Sequence, residues 1–345
     1  MRLFQSRPAI AVAVALLASG LVAGCGSSDN AATTAAVSAA PQASGEGSPV
    51  DLSTVTLAVG DQAGVGSQTL LTAAGLIDQV PFKIKWANFT SGPPMLQAAG
   101  SGAVDIGTVG DAPPVFAAAG GAKIAVVSAV KNDPGYEAIL VPKDSPITSV
   151  AELKGKRVAV AQGSNSNYLA LEALTQAGLS VRDVTLDYLQ PAAGLAALTS
   201  GAVDAWAVWS PYTEQGTVTH GARVLTNTSP YGTHYSYSVA SQSALTDPGK
   251  AAAIRSYVKL LNQAREWAST HPEQWAQIWA QTTSLPLSVT AEAARHYAAT
   301  PVPITDEVIA SEQKLVTAFA DAGLIPKSYD FRPYVFAGLN NLYRG

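Results

Sequence analysis

The residues of this chain best suited to chemistry sit at turns that join strands to helices. Four such turns are Asp61-Gln62-Ala63-Gly64, Thr90-Ser91-Gly92-Pro93, Gly110-Asp111-Ala112-Pro113 and Gly163-Ser164-Asn165-Ser166. The N-terminus of a helix offers unpaired N–H groups and the positive end of its dipole, which suits a sulfonate, phosphate or carboxylate. In open α/β sheets, ligands collect where strand C-terminal ends feed such helices. Gln62, Ser91, Gly92, Gly110, Asp111, Ala112, Ser164 and Asn165 are therefore candidate ligand-binding residues. Two lobes closing over such turns would surround a small anion without requiring an arginine. Taken singly, each turn is also an ordinary helix cap. Trp209 and Ser210 precede Pro211 at a further turn and join the candidates. Trp209 is either core or the wall for the organic part of a ligand, whereas Trp206 reads as core.

Catalytic chemistry has little to build on. His220, His234, His271 and His296 are scattered without metal-ligand spacing. No G-x-S-x-G elbow or Walker loop occurs, and Gly64-x-Gly66 lacks the third glycine of a dinucleotide fingerprint. No catalytic, metal or cofactor residue is therefore expected. An enzyme assembled from residues distant in sequence stays open as the weaker reading. With 21 Lys and Arg against 25 Asp and Glu and no basic block, a nucleic-acid groove is not expected.

The N-terminus reads as an export signal over residues 1–24. Arg2 and Arg7 supply the positive end, Ala9 to Ala18 is apolar, and small residues lead to Cys25. A transmembrane anchor would need about 20 apolar residues, and Gly20 and Gly24 interrupt this run too early. Cys25 is the only cysteine, so it has no disulfide partner. Val22-Ala23-Gly24-Cys25 resembles a bacterial lipobox, which implies a lipid on the Cys25 thiol and an exported chain held at the outer face of the cell membrane. Residues 25–50 are small and polar and read as a flexible tether reaching roughly 25–30 Å.

The elements that must position the turns alternate. Strands are expected at 55–60, 84–89, 104–109, 124–130 and 138–141, with helices opened by Pro93-Pro94 and Pro113-Pro114. A second block repeats this: a strand at 157–161, a helix from Asn165 to Gly178, a strand at 184–189 and a helix at 192–200. Ser101-Gly102-Ala103-Val104-Asp105 recurs as Ser200-Gly201-Ala202-Val203-Asp204, in the same helix-to-strand setting, which puts Trp209 at the position of Gly110. From Asp247 the chain is mostly helical, with Ile254, Tyr257, Val258, Leu261, Ala264 and Trp267 on one apolar face. His271-Pro272 ends that helix, Trp275 and Trp279 pack on the next, and a last helix runs from Thr305 to Ala322. With 48% hydrophobic and 13% charged residues over 345 positions, the chain can build two lobes.

Several of these pieces match a known family. Phe89 to Pro93, Val104 to Phe116, Ala138 to Ile147, Glu152 to Lys156, Gly163 to Asn165 and Gly201 to Trp206 resemble the substrate-binding proteins of aliphatic sulfonate ABC importers, relatives of taurine and nitrate binders. The resemblance implies an α/β, two-lobed periplasmic-binding fold of type II with two crossovers and the ligand in the inter-lobe cleft. Lobe 1 would hold residues 51–141 and 234–345, and lobe 2 residues 142–233. It also implies a monomer that passes a small organic anion to a membrane permease driven by an ATPase. Where relatives carry acids, this chain has Ala193 and Ser210, and Gln162 replaces a common lysine, which tilts the expectation from a zwitterion towards a simple anion. Asp111 remains as a partner for an amine or hydroxyl. Another small ligand (a nitrate-like anion, taurine, a thiamine-type pyrimidine or an aromatic sulfur compound) is the alternative within transport. A sensor role is disfavoured by the lack of a second domain.

Overall fold

The computed structural model describes residues 50–62, 66–232, 234–297 and 299–343. The expected signal, Cys25 and nearly all of the tether lie outside the described residues, as do Ala63 and Gly64 of the first turn.

In the first part of the chain, β1 (Thr56–Gln62), β2 (Lys83–Phe89), β3 (Ile106–Gly110) and β4 (Ile124–Lys131) alternate with α1 (Ser67–Ala73), α2 (Gly92–Gly100) and α3 (Ala112–Ala119). Next come β5 (Glu137–Val141), β6 (Arg157–Val160), β7 (Thr185–Tyr188), β8 (Ala205–Trp209) and β9 (Arg223–Asn227), with α4 (Asn165–Gln176), α5 (Pro191–Thr199) and the short α6 (Tyr212–Glu214) between them. The chain returns through β10 (Tyr235–Ser241) to α7 (Gln242–Thr246), α8 (Pro248–Thr270), α9 (Pro272–Thr283) and α10 (Leu287–Arg295). The edge strand β11 (Thr300–Val302) and α11 (Asp306–Asp321) follow.

The strands form two sheets, ordered β11-β4-β10-β3-β1-β2 and β7-β6-β8-β5-β9. Within each, four strands run in one direction and the strand arriving from the other lobe, β10 or β5, is antiparallel to both its neighbours; in the first sheet the edge strand β11 is also antiparallel to β4. Two crossovers, one after β4 and one after β9, join the sheets, so the two-lobed α/β fold with two crossovers is present. One boundary shifts. The strand Glu137–Val141, expected to close lobe 1, pairs through Ala138–Leu140 with Trp206–Val208 of the second sheet. A strand buried on both faces reads as the same apolar run whichever sheet receives it, so its side-chain pattern does not assign it.

The repeated pentapeptide has the same job in each lobe. Gly102 and Gly201 adopt left-handed conformations (φ 79° and 74°) that end α2 and α5. Asp105 then accepts the Ala58 N–H at 2.8 Å and Asp204 accepts the Arg157 N–H at 2.9 Å, each across 47 residues. The acids thereby dock β3 against β1 and β8 against β6, and the strands end at Gly110 and Trp209, which line the same cavity. Pro248 occupies the first turn of α8 with Asp247 capping the Lys250 N–H at 2.9 Å. Its buried stripe packs with Leu57, Val59 and Ile106 and with the stacked pair Trp275–Trp279, whose ring centroids are 4.9 Å apart.

Candidate functional site

A cavity of about 70 Å³ lies between the lobes where β1, β3 and β8 end. The first lobe contributes Asp61, Gln62, Thr108 and Gly110, and the second contributes Asn165 and Trp209. Tyr136 of the first crossover and Leu261, Arg265 and Tyr297 of the C-terminal region also line it.

Of the expected site residues, Gln62, Gly110, Asn165 and Trp209 line this cavity. Gln62 Nε2 donates to the Thr108 carbonyl at 2.9 Å, which fixes its amide across the strand ends. A Cβ added at Gly110 would lie 2.6 Å from Asn165 Cβ, so the turns of the two lobes touch at this point. Trp209 is 4% exposed and stands edge-on to Tyr212 at 6.4 Å, at once buried and cavity-lining. The other candidates are buried outside that wall. Ser91 is fully buried, and Gly92 packs against Pro113 and Val109. Asp111 accepts the Ala112 N–H at 2.8 Å, so its carboxylate caps α3. Ser164 donates to the Ala161 carbonyl at 2.7 Å and accepts the Asn167 N–H at 3.2 Å as the cap of α4. Ser210 donates to Glu214 Oε2 at 2.7 Å. Ala193 is exposed on α5, and Gln162 borders a separate groove beside Gly163 and Phe116. The substitutions that shaped the expectation about ligand charge therefore do not face this cavity.

Arg265 does face it, and the sequence reading passed over it. The residue lies one turn beyond Leu261 on the buried stripe of α8 and is 4% exposed. Its guanidinium donates to Asn262 Oδ1 at 3.1 Å and to Thr108 Oγ1 at 3.3 Å. Among the described residues no carboxylate lies within ion-pair distance of it. Burial lowers its pKa below the ordinary arginine value, while Tyr297 and Tyr257 act the other way. A charge on an otherwise apolar helical face was the available signal, since buried arginines are nearly always paired.

Asp61 is the second buried charge of the cavity. Its carboxylate accepts the Ser67 N–H at 2.6 Å and the Gln68 N–H at 3.4 Å, so the first amides of α1, expected to serve a ligand, are already taken. Burial raises its pKa to about 6, against the lowering effect of the Ser67, Gln68 and Gln62 backbone N–H groups. At the rim, Asp133 accepts the Gly135 N–H at 2.7 Å and lies 3.2 Å from His296 Nδ1.

A polar bridge ties the lobes beside the second crossover. His234 Nδ1 lies 3.2 Å from Asp111 Oδ2 in lobe 1, and Nε2 lies 3.3 Å from Glu172 Oε2 on α4 of lobe 2. Burial alone would lower the His234 pKa, but Asp111 and Glu172, reinforced by Glu137, raise it to about 11. Glu137 is fully buried, and desolvation with the nearby Asp111 charge pushes it up to about 8. The imidazolium is thus the cation that holds two carboxylates from different lobes.

A larger groove of about 980 Å³ runs between the C-terminal part of α4 and α11. It is open to solvent, and Arg332 on its edge is paired with Asp306 at 2.9 Å, so it lacks the uncompensated buried charge that marks the smaller cavity. Among the described residues no group of three or more His, Cys, Asp or Glu could hold a metal, and no helix is long and apolar enough to cross a membrane.

Comparison with known proteins fits this geometry. A family described as NMT1/THI5 like matches residues 90–275. A protein of Escherichia coli K12 named for binding aliphatic sulfonates is 37% identical over 255 residues, covering 74% of this chain and 79% of its own. The alkanesulfonate-binding protein of Xanthomonas axonopodis pv. citri, solved bound to MOPS, superposes with a TM-score of 0.75 at 34% identity, covering 81% of this chain and 98% of that one. The periplasmic aliphatic sulphonate binding protein of Escherichia coli superposes with a TM-score of 0.72 at 35% identity, covering 81% and 92%.

Proposed function

Since this chain belongs to the aliphatic sulfonate-binding group of the NMT1/THI5-like family, we propose that it captures an aliphatic sulfonate outside the cytoplasm and delivers it unchanged to an ABC importer. The observation that carries this reading is Arg265, a buried guanidinium that lines the inter-lobe cavity without a carboxylate partner. A desolvated cation is costly until an anion compensates it, and the planar guanidinium matches two oxygens of a sulfonate at once. Trp209, Tyr136, Tyr297 and Leu261 give the alkyl part an apolar and aromatic surface. The contact between Gly110 and Asn165 supports capture by lobe closure, because the two turns meet only when the lobes approach.

Three finer parts of the reading rest on the sequence. The chain works as a monomer, its lipid on Cys25 holds it to the outer face of the membrane, and a permease with its ATPase receives the ligand. Gln62, Gly110, Asn165 and Trp209, together with Arg265, form the binding wall. Calorimetry of the purified protein with methane- to hexanesulfonate, nitrate and sulfate tests the central statement. Heat from the sulfonates is expected, and silence from all of them with folded protein would end it.

A further inference from the structure

His234 stands where the second crossover enters β10, between carboxylates that belong to different lobes. Its Nδ1 lies 3.2 Å from Asp111 Oδ2 at the start of α3, and its Nε2 lies 3.3 Å from Glu172 Oε2 on α4. A neutral imidazole carries one N–H and a carboxylate only accepts, so the imidazolium alone satisfies both contacts at once. The cation is sealed from water. His234 is 4% exposed, and the Tyr168 ring of α4 lies 5.8 Å from it. Tyr168 and Leu171 belong to the apolar cluster of lobe 1, with Tyr168 5.6 Å from the Phe319 ring of α11. The other ionisable groups facing the ring are Glu137 at the start of β5 and Glu307 and Glu312 on α11, with Lys314 as the one opposing cation among the described residues.

We propose that lobe closure is coupled to uptake of a proton by His234, so that the protein binds its sulfonate together with a proton from solvent and releases both on opening. This rests on the sulfonate reading and goes beyond it, because the sulfonate itself carries no proton at these pH values. Opening takes Glu172 and the Tyr168 seal away from the ring, while Asp111 stays beside it in lobe 1. Wetting and the loss of one carboxylate then return the imidazole towards its ordinary value of about 6.5. In the closed form Asp111 and Glu172 outweigh burial and hold it up to about 11. Between these limits the open protein is largely neutral at His234 and the closed protein is charged. His234, Asp111 and Glu172 do not line the ligand cavity, so the proton acts on affinity through closure alone.

Titration calorimetry of the full chain with propanesulfonate at about pH 9, repeated in buffers of different ionisation enthalpy, counts the protons taken up on binding. Glu137, which burial raises to about 8, is by then mostly ionised, so the count reports His234. Uptake of more than about half a proton is expected, with a dissociation constant that rises roughly three- to tenfold per pH unit between about pH 8 and 9.5. In Glu172→Gln, which keeps the side-chain shape and removes the charge from lobe 2, uptake should fall below about a quarter of a proton and affinity should vary less than about twofold over that range. A bridge that only braces the fold would weaken this variant equally at every pH and leave the proton count as it was. Binding to the unaltered protein with no proton uptake overturns the proposal and leaves the sulfonate reading standing. Unchanged uptake in Glu172→Gln overturns it too. Silence from propanesulfonate at every pH removes the sulfonate reading and the proposal with it, so the two failures are distinguishable.

Discussion

Replacing Arg265 with Met separates what the guanidinium does for the ligand from what it does for the fold. Methionine keeps an unbranched apolar stem of similar length and removes the charge. In the ligand-free protein this takes away a buried cation that has no carboxylate, at the expense of donors to Asn262 Oδ1 and Thr108 Oγ1. Exchanging buried ionic groups for apolar ones is neutral to stabilising by about 1–4 kcal/mol, and each orphaned acceptor costs about 1–3 kcal/mol. These terms nearly cancel, so the ligand-free melting temperature should stay within a few degrees of the parent, at roughly 2–4 °C per kcal/mol. The ligand loses two charge-assisted hydrogen bonds of about 1.5–3 kcal/mol each. At about 1.4 kcal/mol per tenfold, the dissociation constant should rise roughly 100- to 10,000-fold. Arg265→Lys keeps the charge and loses the fork, and should fall between, at roughly 10- to 100-fold. Scanning calorimetry reads the first quantity and titration calorimetry with a bound sulfonate reads the second. Affinity retained within threefold in Arg265→Met, or a ligand-free protein that loses several kcal/mol of stability, would refute the assignment.

Other outcomes follow from the same contacts. Gly110→Ala places a methyl 2.6 Å from Asn165 Cβ, so the lobes should stay apart, affinity should weaken by about tenfold, and solution scattering with saturating ligand should show a wider form than the parent. Stability should fall as pH rises from mildly acidic to alkaline. The folded pKa of Glu137 is raised to about 8, so its ionisation opposes folding increasingly above its unfolded value near 4.5 and fully beyond 8. The folded pKa of His234 is raised to about 11, so its stabilisation is complete below its unfolded value near 6.5 and is lost as pH climbs through 11. Glu137→Gln should flatten the part of a urea-midpoint profile between pH 5 and 8, and an unchanged slope would remove Glu137 from the account. Cys25→Ser should move the chain from the membrane fraction to the soluble extracellular fraction, as detergent partitioning and fractionation would read.

The sequence by itself determined whatever depends on neighbours along the chain. The alternation of strands and helices, the prolines that open α2, α3 and α8, and the glycines that end α2 and α5 follow from local backbone preferences. The pentapeptide repeat revealed two lobes on one plan because its aspartate makes the same strand contact in each. Only the tertiary structure decided which polar atoms meet a ligand. Asp111, Ser164 and Ser210 carry suitable side chains at suitable turns, but His234, Ala161 and Glu214 lie close enough to engage them from within the protein. Strand β5 reads as an apolar run that either sheet could bury, and its hydrogen-bond partners chose the second. Arg265 stood in plain view on the stripe of α8, yet a charge on a helix has no meaning until the facing surface is known. Local sequence sets backbone conformation, whereas the cavity is made where β1, β3, β8 and α8 converge, and that convergence is a property of packing between segments far apart in the chain.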